Sequence, residues 1–172
     1  MPQAPMYPPE AVQPMRDELT TVGFEELKTA EEVDKVVQST KGVVMCVVNS
    51  VCGCAAGAAR PGLALALQHK VIPDRIVTVF AGMDREAVQR VRELHAPVPP
   101  SSPSIAFFKD GKLAGVMERG HIEGRPPQAI AADLVRAFDE MCKRPGPSIP
   151  PEQFAKLTHA KICGSSLPRF DG

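Results

Sequence analysis

Two cysteines separated by one glycine, Cys52 and Cys54, are the residues of this chain best suited to chemistry. They follow a short apolar run, residues 43–48, and precede an alanine-rich stretch that favours helix. At a strand-to-helix junction the first N–H groups of the helix point outward, and the helix dipole favours negative charge. A thiolate is the nucleophilic form of cysteine, and such a setting lowers the pKa of a thiol. The pattern therefore predicts a redox thiol site, with Cys52 the more exposed thiol and its pKa below the ordinary value.

The spacing of the two thiols restricts their geometry. A disulfide needs Cβ atoms roughly 3.5–4.5 Å apart, whereas residues two apart in a regular helix do not face each other. We therefore expect Cys52 just before the helix or in its first turn, with Gly53 supplying conformational freedom. A disulfide closed over one intervening residue is expected to be strained and easily reduced, which favours thiol exchange over a permanent crosslink.

The segment around these thiols, residues 49–57 with the sequence NSVCGCAAG, resembles the signature of the bacilliredoxin family. The resemblance runs over residues 7–142 and includes four further short motifs: Tyr7-Pro8, Pro14-Met15-Arg16, Ala59-Arg60-Pro61 and Ser102-Pro103-Ser104. Bacilliredoxins are thioredoxin-like bacterial proteins in which a CGC motif replaces the usual CxxC. The resemblance implies removal of bacillithiol from mixed disulfides on proteins. It also implies no bound cofactor, bacillithiol or an equivalent low-molecular-weight thiol as co-substrate, and S-thiolated client proteins as partners.

The same resemblance assigns roles within the site. Cys52 is expected to attack the mixed disulfide and Cys54 to resolve the intermediate. Substrate contacts are expected from five residues: Asn49, Ser50, Gly53, Ser102 and Pro103. Thioredoxin-like folds place a cis-proline beside the nucleophile, and Pro103 occupies that place, although most X-Pro bonds are trans. Arg60 is expected either to add positive potential near the thiols or to lie on a solvated helix face.

Three further cysteines lie away from the CGC motif. Cys46 stands six residues before Cys52, where thioredoxins usually carry a buried Asp, and it is expected to be a core thiol. Proton transfer would then use another group or water. Cys142 falls on the apolar face of the last predicted helix, so it is also expected in the core. Cys163, in a polar tail, is a candidate auxiliary thiol that bonds to the CGC pair on oxidation; the alternative is a bystander thiol.

The residues alone leave three functions open. The first is a thiol-disulfide oxidoreductase acting on mixed disulfides, and the second is a general protein disulfide isomerase. The third is a non-enzymatic CxC metal-binding protein, because soft thiolates bind several metals. A structural metal site would need two more ligands, and the four histidines stand apart in the sequence without ligand spacing, so no metal is expected.

Composition excludes several other classes. The chain of 172 residues carries 20 Lys and Arg against 20 Asp and Glu, so neither nucleic acid nor an anionic membrane is an expected partner. Its apolar runs are too short to span a bilayer, and its N-terminal residues lack a secretory pattern. Five cysteines without a disulfide framework suit a reducing compartment. The expected protein is cytoplasmic and is a monomer or a weak homodimer.

Alternating strand and helix patterns predict an α/β sandwich with a mixed sheet, in a thioredoxin-like order. The expected helices are residues 10–19 (shortened or bent at Pro14), 29–40 (with a Thr29–Glu32 capping box), the CGC helix to 68 (kinked or interrupted at Pro61), 84–94 (capped by Asp84) and 126–143. The expected strands are an edge strand at 24–27, a central strand at 43–48, a strand at 75–81, and a hairpin around Asp110-Gly111. Residues 1–144 are predicted to form the domain and residues 145–172 a proline-rich extension.

Overall fold

The computed structural model describes residues 3–157, and its main element is a five-stranded mixed sheet. The strands are β1 (Glu25–Glu26), β2 (Val43–Asn49), β3 (Val71–Ile72), β4 (Arg75–Phe80), β5 (Ser104–Lys109), β6 (Lys112–Met117) and β7 (Arg144–Pro145). The helices are α1 (Pro9–Thr20), α2 (Ala30–Ser39), α3 (Arg60–Ala66), α4 (Arg85–Leu94), α5 (Arg119–Ile122), α6 (Pro127–Met141) and α7 (Pro151–Ala155).

The main sheet has the strand order β1-β4-β2-β5-β6. Its central strand, β2, runs parallel to β4 and antiparallel to β5. All seven residues of β2 are buried, and a strand covered on both faces needs apolar side chains at nearly every position. This explains why its sequence is a continuous apolar run. The topology confirms the predicted thioredoxin-like α/β fold.

Helices cover both faces of the sheet. Because side chains alternate along a strand, the odd-numbered apolar residues of β2, such as Met45, lie in the core with α1, α3 and α6. The even-numbered apolar residues, such as Cys46, lie in the core with α2 and α4. The CGC motif leaves the carboxyl end of β2, so its position is set by the most deeply buried strand.

The predicted capping box and the predicted hairpin turn are confirmed. Thr29 and Glu32 form the reciprocal capping box at the start of α2. Asp110 and Gly111 both have positive φ, 51° and 84°, as a two-residue hairpin turn of type I′ requires. The Asp110 carboxylate also accepts a hydrogen bond from the Gly42 N–H at 2.8 Å, which ties the turn to the start of β2.

Two helix predictions were wrong in detail. Helix α1 continues through Pro14 to Thr20, because Pro14 faces solvent while Val12 and Leu19 hold the opposite face in the core. Asp84 stands at the N-cap of α4 but makes no side-chain capping bond. Its carboxylate instead binds the buried Arg16 guanidinium through two hydrogen bonds, at 2.9 and 3.0 Å.

The helix that follows the CGC motif changes type along its length. A turn of π-helix, Ala55–Ala59, leads directly into α3, and the Arg60 N–H donates to the Ala55 carbonyl. Pro61 was predicted to kink or interrupt the helix, and the π-helical turn lies shortly before this proline. The helix continues to Ala66, so the proline coincides with a change of hydrogen-bond pattern without ending the helix.

Residues beyond α6 contact the domain. β7 pairs antiparallel with β3, and Ile149 is buried in the main core. The Ser148 hydroxyl donates to the Val22 carbonyl at 2.7 Å. A domain boundary at residues 144–145 stays a prediction, and Cys163 lies outside the described residues.

Glycine at position 62 sets the approach of α3 to α6. A Cβ on Gly62 would lie 2.9 Å from Ile130 Cβ and 3.1 Å from the Pro127 carbonyl oxygen. Gly62→Ala should therefore lower the free energy of unfolding in urea by about 1–3 kcal/mol, the usual cost of overpacking. Gly57 is the matched control, since a Cβ there meets nothing within 4 Å. Gly57→Ala should leave stability unchanged or raise it; equal losses for both variants would contradict this account.

Candidate active site

The two thiols of the CGC motif lie at the start of the helix. Cys52 immediately precedes the first helical residue, Gly53. The Cys52 carbonyl accepts hydrogen bonds from the N–H groups of Ala55 at 3.1 Å and Ala56 at 3.2 Å. The Sγ atoms of Cys52 and Cys54 are 3.1 Å apart and share a hydrogen bond. Both side chains are half-buried, so the two adjacent thiols are partly accessible to solvent.

Gly53 has a different role from the one expected. It lies in helical conformation and does not adopt a positive φ. A Cβ at this position would meet nothing within 4 Å. Its missing side chain leaves open space between the two thiols and solvent, and substrate contact at Gly53 stays a prediction.

Asn49 and Ser50 hold the loop that carries Cys52. The Asn49 Oδ1 accepts from the Ser50 N–H at 2.8 Å, and its amide group donates to the Met15 carbonyl at 3.2 Å. The Ser50 hydroxyl accepts from the Cys52 N–H at 3.0 Å. Both side chains are buried and bonded within the chain. These contacts position the loop, while a direct contact of either residue with substrate stays a prediction.

Arg60 lies behind this loop. Its side chain is 2% exposed, so the alternative of a solvated helix face was wrong. The Nη1 group donates to Asn49 Oδ1 at 3.0 Å and to the Ser50 carbonyl at 2.8 Å. The Nε group donates to Glu18 at 3.0 Å. A buried positive charge thus joins α1 to the loop before the thiols.

The two thiols differ in acidity. Burial raises the pKa of Cys52, but hydrogen bonds from Ser50, from the Cys54 thiol and from backbone N–H groups outweigh burial and lower it. The pKa of Cys54 is raised by burial, by its hydrogen bond to Cys52 and by the charge of that sulfur. Cys52 therefore loses its proton at a lower pH than Cys54 does. This difference gives Cys52 the nucleophile's chemistry.

The loop before β5 lies beside the CGC segment. β5 begins with Ser104 opposite Val48 of β2, so Pro103 lies next to the carboxyl end of the central strand. The Ser102–Pro103 peptide bond is cis, as the family resemblance implies. The Ser102 carbonyl is within hydrogen-bond distance of Arg119 Nη1, at 3.2 Å.

Arg119 is a site residue that sequence reasoning missed. It is the first residue of the four-residue helix α5, which no sequence pattern predicted. The hairpin pairs Ile105 with Met117, and this register brings Arg119 beside Pro103. The positive charge of Arg119 lowers the pKa of Cys54, against the other influences on that thiol. The pairing register of the β5–β6 hairpin could have placed Arg119 near the site, provided that the bulge between Phe107 and Phe108 is included.

The other described cysteines belong to the core. Burial raises the pKa of Cys46 to about 12. Burial and the nearby Asp74 carboxylate raise the pKa of Cys142, also to about 12. Both thiols stay protonated near neutral pH, which confirms their predicted place as unreactive core residues.

Within residues 3–157, no three His, Cys, Asp or Glu side chains are arranged to hold a metal ion. No helix in this same part of the chain is long and apolar enough to cross a bilayer.

Comparison with known proteins identifies the family. A family model described as disulphide isomerase matches residues 7–142. A bacilliredoxin of Cytophaga hutchinsonii is 52% identical over 136 residues, which cover 79% of this chain and 100% of that protein. The chain belongs to the bacilliredoxin family. A second bacilliredoxin, from Salinibacter ruber, is 48% identical over 166 residues, which cover 94% of this chain and 95% of that protein.

The bacilliredoxin resemblance predicted from the CGC segment is thus confirmed, including its extent along the chain. Among solved structures, a thioredoxin of Entamoeba histolytica matches with 15% identity and a TM-score of 0.47, covering 67% of this chain and 99% of that one. The chain is a thiol-disulfide oxidoreductase, as family membership and the adjacent pair of thiols together indicate.

Ser50 should control the acidity of the bacilliredoxin nucleophile. Its hydroxyl oxygen accepts from the Cys52 N–H, so the hydroxyl hydrogen is free to stabilise the Cys52 thiolate. Ser50→Ala should raise the pKa of Cys52, shift its alkylation profile to higher pH, and slow alkylation at pH 7 several-fold. Rates with iodoacetamide in the Cys54→Ser background measure this.

The control for that experiment is Ser39→Ala, which removes an exposed hydroxyl bonded only to the Lys35 carbonyl. In variants that keep one thiol each, Cys52 should reach its alkylation plateau at a lower pH than Cys54, because a lowered pKa means earlier deprotonation. An Ser50→Ala profile that matches the control would show that Ser50 acts on loop geometry alone.

Proposed function

We propose that this bacilliredoxin removes a low-molecular-weight thiol, bacillithiol or an equivalent, from mixed disulfides on client proteins. The observation that carries the proposal is the hydrogen-bonded pair of Cys52 and Cys54, with sulfurs 3.1 Å apart and pKa values shifted in opposite directions. One sulfur is prepared to attack, and the second is held beside it with its proton.

The proposed reaction has two exchange steps. The Cys52 thiolate attacks the low-molecular-weight sulfur of the mixed disulfide, and the client cysteine leaves as a thiolate that takes up a proton. Cys54 then loses its proton and attacks the Cys52 sulfur, which forms the Cys52–Cys54 disulfide and releases the small thiol. The client is reduced by two electrons and the CGC pair is oxidised by two. An external thiol reductant restores the dithiol.

The surroundings support this order of events. Attack at Cys52 places negative charge on the departing sulfur near the start of the helix, where N–H groups favour it. The positive charge of Arg119 lowers the pKa of Cys54 and so assists its deprotonation in the second step. Because the core Cys46 stays protonated, proton transfer in that step goes through solvent or another group.

The proposal also covers the cellular compartment, the partners and the oligomeric state. We propose the cytoplasm as the compartment, because five cysteines without a disulfide framework suit reducing surroundings. The proposed partners are S-thiolated proteins, and the proposed functional unit is a monomer or weak homodimer.

A general disulfide isomerase is the second candidate, because the matching family model bears that description. An isomerase uses the same first attack but then rearranges client disulfides. Reactivation of scrambled ribonuclease, without added small thiol, would favour this candidate.

The deciding experiment uses a client with one cysteine, loaded with bacillithiol or with glutathione. The reduced protein is added, and intact mass spectrometry follows the client and the enzyme. Release of bacillithiol faster than glutathione, with a loss of two hydrogens from the CGC peptide, is the expected result. Failure to release either thiol overturns the proposed function.

A further inference from the structure

An open cleft adjoins the resolving thiol. It has a volume of about 460 Å³ and is lined by Cys54 together with Gly53, Gly57, Ala58, Arg119, Glu123, Gly124 and Arg125. Its inner side is made of small residues, and neither Gly53 nor Gly57 has any atom within 4 Å of the place a Cβ would take. The cleft therefore offers room for a small molecule attached to a sulfur of the CGC pair.

The two arginines of the cleft differ in how firmly they are held. Arg125 Nη1 donates to Asp133 at 2.7 Å and to the His121 carbonyl at 2.9 Å, so its charge is engaged inside the fold. Arg119 binds Glu123 through longer contacts, at 3.2 and 3.3 Å. In that pair the arginine side chain is 42% exposed and the glutamate 58% exposed. Exposed ion pairs of this kind stabilise little, so a ligand can replace the glutamate.

The position of Arg119 relative to the sulfurs supports a direct role with the substrate. Arg119 lies close enough for its charge to interact with both Cys52 and Cys54. The hydrogen bond from its Nη1 to the Ser102 carbonyl fixes the guanidinium beside the cis-proline loop. A planar guanidinium matches a carboxylate through two parallel hydrogen bonds. Glutathione and bacillithiol both carry carboxylates.

We propose that this cleft binds the low-molecular-weight part of the mixed disulfide, and that Arg119 binds its carboxylate in place of Glu123. The inference rests on the proposed function and adds a substrate specificity to it. The enzyme selects small thiols that carry a carboxylate. Glu123 occupies the guanidinium until substrate arrives. No bond is formed or broken beyond the two exchange steps described above.

The test compares anionic and neutral leaving thiols. A one-cysteine client is loaded with bacillithiol, with glutathione or with neutral 2-mercaptoethanol, and kcat/KM is measured for each. Arg119→Gln should lower kcat/KM roughly tenfold for whichever carboxylate-bearing thiol wild type releases, the loss expected for one charge-assisted interaction. It should lower kcat/KM for 2-mercaptoethanol by a clearly smaller factor, because that reaction loses only the effect of Arg119 on Cys54 and no carboxylate contact. Glu123→Gln should act in the opposite direction and lower KM for the carboxylate-bearing thiols.

Arg75→Gln is the matched control. Arg75 has similar exposure, 40%, and a single carboxylate partner, Glu25, on the far edge of the sheet. Arg75→Gln removes the same net charge as Arg119→Gln and should leave the reactions of all three thiols unchanged. Equal losses for anionic and neutral thiols in Arg119→Gln would overturn the proposal, since Arg119 would then act only on the cysteines.

Binding without turnover separates this inference from the proposed function. S-methyl bacillithiol and S-methyl glutathione are titrated into the reduced protein, and Kd is measured by NMR. A roughly tenfold weaker Kd in Arg119→Gln supports the cleft assignment even if wild type releases no thiol from clients. Equal Kd values for Arg119→Gln and Arg75→Gln, or no binding to wild type, would overturn it.

Discussion

Cys52→Ser should abolish release of the small thiol, and Cys54→Ser should stop the reaction with Cys52 in a mixed disulfide. A serine hydroxyl is not ionised near neutral pH, so the first variant has no nucleophile. The second keeps the nucleophile but lacks the sulfur that lies 3.1 Å away. Intact mass spectrometry under non-reducing conditions measures both results. The mass of the trapped adduct also identifies which sulfur of the mixed disulfide was attacked.

The control for these variants is Cys142→Ala. That thiol is 6% exposed and its pKa is raised to about 12, so its loss should leave exchange intact in the folded protein. If Cys54→Ser turned over at the wild-type rate, Cys54 would not be the resolving thiol. Resolution would then fall to an external thiol or to Cys163, which lies outside the described residues.

Arg60→Leu should give the largest loss of stability among the site variants, about 3 kcal/mol in the free energy of unfolding. The change removes two charge-assisted hydrogen bonds to the loop, to Asn49 and to the Ser50 carbonyl. It leaves the buried Ser50 carbonyl without this donor. Urea unfolding measures the loss, and thiol exchange should fall with it because the loop that carries Cys52 is no longer held.

Glu18→Gln is the control for Arg60→Leu. Glu18 receives the third hydrogen bond of Arg60 and is partly exposed, and a glutamine oxygen can still accept that bond, so this change should cost less stability than Arg60→Leu. The bonds from Arg60 to Asn49 and Ser50 remain in this variant. Similar unfolding midpoints for Arg60→Leu and wild type would show that the arginine does not support the loop.

Much of the fold and the central chemistry could be predicted because their signals are local. The apolar run of β2, the capping box at Thr29 and the turn at Asp110-Gly111 each depend on a few neighbouring residues. The thiol pair is likewise one short motif. Its placement at the start of a helix follows from the residues on either side, and the structure shows that placement.

The rest of the site depends on contacts between distant segments. Arg60 was ambiguous in sequence, since a helix arginine is buried only where partners such as Glu18 reach it from another element. Asp84 stood at a capping position, yet it binds Arg16, 68 residues away. No local pattern indicates such partners. Arg119 was missed for the same reason, because its place follows from strand pairing across a loop and a hairpin.

The bulge in that hairpin has a consequence for chain length. Lys109 pairs with Lys112 and Phe108 with Leu113, but Phe107 pairs with Gly115, so Ala114 is an extra residue of β6 without a partner on β5. A shift of one residue reverses which face of a sheet a side chain occupies. Removing Ala114 would cause no such shift, because Gly115 would still pair with Phe107 and Met117 with Ile105, so α5 would keep its place. A deletion at the bulge therefore leaves the charge beside the thiols unchanged, whereas a change of chain length at a paired position of β6 moves that charge.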